Sequence, residues 1–177
     1  PAFDGGPVTE TVMTRGASLS RCGAYRYHLW REWDTDKPRM LLIMLNPSLA
    51  DHERDDHTIT KSIAIARNLG CGRLDVGNLA AFRSPHPAEL KRAANPVGPG
   101  NDRHLARMLS AADLVVCAWG AHADALPARV RAVARLVKRA GVATYALKLT
   151  NDGHPSHPLA RGKGFIPITV EPIPFAL

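Results

Sequence analysis

The stretch MLLIMLNPSLADHERDDH, residues Met40 to His57, opens as an unbroken aliphatic run and changes character at Asn46-Pro47-Ser48. From Met40 to Leu45 apolar and polar residues do not alternate, the pattern of a strand covered on both faces, as central strands of parallel sheets are. Asp55 and Asp56 then precede HTITKSIAIARNLG, in which Ile59, Ile63 and Ala66 recur at helical spacing. Asp56 can cap the first turn of that helix and Gly70 can end it. A buried strand that feeds a helix through a polar loop is the repeating unit of an α/β sheet.

The unit repeats downstream. RLDVGN reads as a strand, NDRHLARMLSAA as a helix, DLVVCAWG as a strand, ALPARVRAVARLVKRAG as a helix and ATYALKL as a strand. In the longest helix Leu126, Val130, Val133 and Val137 make one apolar stripe, which leaves Arg129, Arg131, Arg135, Lys138 and Arg139 mostly to solvent. Upstream, Tyr25 to Trp30 alternates and Asp34 to Pro38 is a turn cluster, so a hairpin-like entry into the Met40 strand is expected. The first twenty residues, rich in Gly, Ser and Thr, read as a flexible segment 1–20 ahead of a single α/β domain over 21–177. The expected fold is a three-layer αβα sandwich with a central, mainly parallel four-stranded sheet plus an N-terminal hairpin.

Composition narrows the function classes. The chain has 177 residues, 45% hydrophobic and 22% charged, close to ordinary globular usage. No apolar run approaches the roughly 20 residues needed to span a bilayer, and the N-terminus lacks a basic region followed by an apolar stretch, so a cytoplasmic protein without a membrane partner is expected. Cys22, Cys71 and Cys117 are odd in number and show no C-x-x-C spacing. They read as small core residues rather than a disulfide framework or zinc site. The formal charge of +7 would attract polyanions, nucleic acid foremost.

In open α/β sheets ligands bind outside the carboxyl ends of the strands. Asn46, Asn78 and Trp119-Gly120 each end a predicted parallel strand, and the fourth strand runs into the polar loop Thr150 to Leu159. Four strand ends thus supply one polar rim, with Phe82, Arg83 and the Pro-Gly loop to Asp102 framing it. His52, Glu53, Asp55, Asp56 and His57 lack a defined ligand spacing, so no metal and no cofactor are expected.

These residues carry a resemblance. Leu45 to Ser48, LNPS, resembles the first motif of the uracil-DNA glycosylase superfamily, and HPSHPL at His154 to Leu159 resembles its late His-Pro-Ser loop. VVCAWGAHA and LDVGNLAAFR are similar to the strands those enzymes place between the two motifs. A closer likeness is to a prokaryotic family marked by Leu-Asn-Pro-Ser, Asp-Asp-x-Thr, Asn-Leu-x-Ala, Pro-Val-Gly-Pro-x-Asn-Asp, Ala-Trp-Gly and His-Pro-Leu. Here these are Leu45 to Ser48, Asp55 to Thr58, Asn78 to Ala81, Pro96 to Asp102, Ala118 to Gly120 and His157 to Leu159.

The glycosylase resemblance implies a monofunctional DNA glycosylase, expected to act as a monomer on a flipped, modified or damaged base of DNA. Asn46 would hold the attacking water, and His154 or His157 would donate to the departing base. Pro47, Ser48, Asp55, Asp56, Asn78 and Phe82 would contact the base; Ser156, Leu159, Arg83, Arg161 and Lys163 would contact DNA, with Leu159 filling the gap left in the stack. The closer family's sporadic prokaryotic character adds a role in anti-phage defence. Two alternatives stand beside this: a non-catalytic reader of modified bases or nucleotides, and a hydrolase of free nucleosides or nucleotides.

Overall fold

The computed structural model describes residues 12–48 and 50–177. In chain order its strands and α-helices are β1 (Thr14–Leu19), β2 (Arg26–Glu32), β3 (Arg39–Met44), α1 (His57–Asn68), β4 (Arg73–Asn78), α2 (Asn101–Ala111), β5 (Leu114–Cys117), α3 (Pro127–Ala140), β6 (Thr144–Ala146) and β7 (Ile173–Pro174). The strands form one sheet in the order β1-β2-β4-β3-β5-β6-β7. Four of them, β4, β3, β5 and β6, are mutually parallel, while β1, β2 and β7 join antiparallel at the flanks. The sheet therefore has seven strands among the described residues, not the four expected, around a parallel centre.

The run Met40 to Leu45 is covered on both faces. Met40, Leu42 and Met44 join Ile59, Ile63 and Ala66 of α1 in one core, whereas Leu41, Ile43 and Leu45 join Leu105 and Leu109 of α2 and Val133 and Val137 of α3 in the other. A period of two side chains sends alternate residues to opposite faces, and two apolar layers wait there, so no position in the run can be polar. Asp56 caps α1, its carboxylate accepting from the Ile59 N–H at 2.9 Å. Gly70 follows the helix at φ 76°, the left-handed region that glycine enters without steric cost.

The N-terminal hairpin differs from expectation. β2 does not pair with β3, because β4 and β5 already occupy both edges of that strand. It pairs instead with β4, Leu29 opposite Val76, and on its outer side with β1. β1 lies inside the segment 1–20 that reads as loose; residues 1–11 of that segment lie outside the described residues. Its small residues misled the reading, since Gly16 packs directly on the Trp30 indole and a Cβ there would stand 2.1 Å from a ring carbon.

Two further corrections concern burial. Arg129, assigned to the solvent side of α3, is only 7% exposed; its Nε donates to the Leu79 carbonyl and its guanidinium pairs with Asp102 at 2.5 Å. Cys22 is exposed, whereas Cys71 and Cys117 are buried as read. No helix among the described residues is long and apolar enough to cross a membrane.

Candidate functional site

Parallel pairing fixes where the strand ends meet. Met44 is in register with Asn78, Ile43 with Cys117 and Cys117 with Ala146, so the segments that follow these strands leave the sheet on one rim. The backbone stays knitted past the strands: Leu79 N–H donates to Met44 O at 2.8 Å, Ala80 N–H to Leu45 O at 2.9 Å and Ala118 N–H to Ile43 O at 2.8 Å. Behind the rim Asn101, at the start of α2, donates from Nδ2 to the carbonyls of Asn78 and Leu79 at 2.9 and 3.1 Å.

On this rim lies a cavity of about 390 Å³, lined by Met44, Leu45, Asn46, Ser48, Thr58, Ser84, Pro85, Trp119, Gly120, His122, His157, Leu159 and Ala160. Its size falls within the roughly 300–1,000 Å³ of small-molecule sites. Asn46 is held there by its nitrogen. Nδ2 donates to Ser84 O at 2.8 Å and to Pro47 O at 3.1 Å, which occupies both amide protons. Among the described residues nothing donates to Oδ1, so the group left for a ligand is an acceptor.

His157 is held from the other side. The Leu159 N–H donates to its Nδ1 at 3.2 Å, and the Ala160 N–H closes the turn on the His157 carbonyl at 2.9 Å. A neutral imidazole that accepts at Nδ1 carries its proton on Nε2, which has no partner among the described residues. Burial pulls the His157 pKa below the ordinary histidine value; the charge of Asp56 opposes this and that of Lys61 adds to it. The favoured state is therefore a neutral ring with one free N–H donor. Gly120, at φ 70°, lines the same cavity, and its N–H donates to Pro155 O at 2.8 Å. This bond ties the turn after β5 to the histidine loop.

The rim thus brings together Asn46, Ser48, His157 and Leu159 of the residues expected there; Pro47 is buried and does not line the cavity. Others stand elsewhere. His154 lines a separate cavity with Trp119, Pro155 and Phe175, and its Nε2 lies 3.0 Å from Asp124 Oδ1. Asn78 is 2% exposed and does not line the Asn46 cavity; its Nδ2 finds no acceptor among the described residues. Phe82 packs edge-on against Tyr25. Asp55 binds the fully buried Arg31 at 2.6 Å, and Asp56 caps α1. The cap was legible in the sequence, whereas the pairing of Asp55 with Arg31 was not.

Of the residues expected on DNA, Ser156 is 2% exposed, with its N–H bonded to Lys148 O at 2.8 Å. Arg83 donates to Gly23 O at 3.3 Å. Arg161 and Lys163 are exposed, immediately after the histidine loop. The sequence reading missed Thr58 and His122 as lining residues, although Thr58 closes the Asp-Asp-x-Thr segment. It also missed Arg26 and Arg31 of β2, which secure the loop after β3. Arg26 donates to Ala50 O at 2.5 Å, and Arg31 donates to Asp51 O at 2.7 Å and to Asp55 Oδ1 at 2.8 Å. Burial draws the Arg26 pKa down to about 10. Among the described residues no three His, Cys, Asp or Glu side chains group as a metal ion would need.

No curated protein matches the chain, and no solved structure does. A family model does match, over residues 26–159, a span that runs from β2 through the rim to Leu159. It is described as "Protein of unknown function (DUF1643)", and the chain belongs to that family.

Proposed function

We propose that the protein is a monofunctional DNA glycosylase of the uracil-DNA glycosylase type, acting as a monomer on a base extruded from DNA into the Asn46 cavity. One observation carries the reading: Asn46 and His157 line the same cavity, each held by backbone bonds that leave an acceptor on the first and a donor on the second. Hydrolysis of an N-glycosidic bond needs that polarity. As the bond between the sugar C1′ and the base nitrogen breaks, positive charge grows on the sugar and negative charge on the base. Asn46 Oδ1 accepts a hydrogen bond from a water directed at C1′, and His157 Nε2–H donates to the base atom on which charge accumulates. The water oxygen bonds C1′, its displaced proton passes to solvent, and the departing base anion takes up a proton.

An amide is a weak base, so Asn46 orients the water rather than deprotonating it. The reaction then rests on leaving-group stabilisation. Trp119 and Leu159 give the cavity apolar walls, and Ser48, Thr58 and His122 add polar groups for the edge of the base. His154, paired with Asp124 outside this cavity, has no part in the step.

Duplexes bearing uracil, hypoxanthine or enlarged modified bases, labelled at one end and treated with alkali, report abasic sites as strand breaks. The wild-type protein is expected to yield breaks with at least one of these bases. Asn46→Ala is expected to lower the rate about 10²-fold, the loss when a reacting group is no longer positioned, while DNA binding persists. No breaks across the panel would overturn the reading. Binding without breaks, equal in wild type and variant, would instead identify a reader of modified bases.

A further inference from the structure

Among the described residues Phe165 is the one Phe, Tyr or Trp whose ring is exposed. It is 60% exposed, whereas the next residue, Ile166, is fully buried in the core on the α1 side. Its backbone N–H donates to Gly162 O at 3.0 Å, closing the short turn Gly162–Gly164, so both neighbours of this phenylalanine are fixed while its ring stands in solvent. That turn follows the histidine loop directly: Ala160 lines the Asn46 cavity, and a Cβ at Gly164 would lie 3.5 Å from the Ala160 side chain. The Lys61 ammonium sits 4.7 Å from the centre of the Phe165 ring. Lys61 lies one helical turn after Thr58, a lining residue, and its charge reaches His157. Arg161 and Lys163 are exposed on the same turn. An exposed aromatic ring with one ammonium over it and two further cations on its own turn, in the segment that follows the cavity-lining Ala160, matches the composition of the stacking platforms that hold single-stranded nucleic acid.

We infer that Phe165 stacks on a base of the DNA strand beside the extruded nucleotide, while Lys61, Arg161 and Lys163 take the adjoining phosphates. This rests on the glycosylase reading and adds the surface that holds the strand open. It also reassigns the stack-filling role given to Leu159 by resemblance, because Leu159 is half-buried and faces the cavity. Stacking supplies affinity without a charge requirement, and the cations supply the salt-dependent part.

The test uses the full chain and a fluorescein-labelled duplex carrying an abasic-site analogue, with 2-aminopurine next to the analogue. Phe165→Ala is expected to weaken binding about 5- to 150-fold, the loss for one stacked base. It should also abolish the change in 2-aminopurine emission expected with wild type, leave the salt slope of binding unchanged and leave the urea midpoint unchanged. Phe165→Trp should restore both affinity and emission change, a rescue that a merely structural role would not produce. Wild-type binding and base release with an unaltered Phe165→Ala titration would overturn this proposal alone. A wild-type protein that binds no duplex at all would overturn the glycosylase reading and this inference with it.

Discussion

At the scale of single residues, the site is decided by where hydrogen-bonding capacity has already been spent. Asn46 has given both amide protons to Ser84 and Pro47, and His157 has accepted at Nδ1 from Leu159, so each residue has one role left. The histidine makes this measurable. Burial lowers its pKa in the folded protein, so as pH falls below the ordinary value of 6.5 the unfolded chain takes up its proton first. The histidine's contribution to stability is therefore complete above pH 6.5 and declines as pH drops from there toward the depressed folded-state value. Urea midpoints measured from pH 8 to pH 5 should fall for the wild type and fall less for His157→Gln. His104, also depressed by burial, keeps a residual slope in both proteins, so the difference between the two curves isolates His157. Parallel curves would mean that the ring is not held neutral.

Elements explain why those residues meet, and here two adjacent acids separate cleanly. Asp55 and Asp56 are alike in sequence, yet Asp55 compensates a fully buried guanidinium whereas Asp56 caps a helix. Asp55→Ala leaves Arg31 buried with only carbonyl partners, which costs about 3 kcal/mol, the lower end for a broken buried pair because the Asp55 side chain keeps 21% exposure. Asp56→Ala removes one helix cap at about 1 kcal/mol. Urea denaturation of the two variants should rank them in that order; equal losses would mean that Arg31 finds other compensation. What the sequence displayed at this scale was periodicity: the doubly covered β3, the capped α1, and the strand and helix alternation through β6 were all legible. What it hid were non-local partners. Arg31 reads as a charge on an alternating strand, Arg129 as the solvent face of a helix and Gly16 as loop punctuation, because burial by a segment far along the chain leaves no local pattern. His157 and His154 stand three residues apart in one motif, and only the turn that carries the first into the Asn46 cavity and the second to Asp124 separates them.

For the molecule as a whole, the excess of 23 Lys and Arg over 16 Asp and Glu is not spread evenly in function. Several cations are consumed inside: Arg31 by Asp55, Arg73 by Asp75 and Glu32, and Arg129 by Asp102. The exposed remainder divides by the polarity of the parallel sheet. Strands run toward the rim and helices run back from it, so Lys138 and Arg139, at the last turn of α3, lie at the end of the molecule opposite the cavity, while Arg161 and Lys163 lie beside it. Net charge alone would make the two pairs equivalent. Local contact would not, because each phosphate neutralised releases counterions and contributes about 0.9 to the slope of log affinity against log salt. Arg161→Gln with Lys163→Gln should therefore lower the slope by up to about 1.8, whereas Lys138→Gln with Arg139→Gln, an identical change in charge, should leave it unaltered. Titration of a labelled duplex between low and moderate salt distinguishes the cases. An equal effect of both pairs would assign the basic balance to non-specific attraction and remove the rim as the DNA-facing surface.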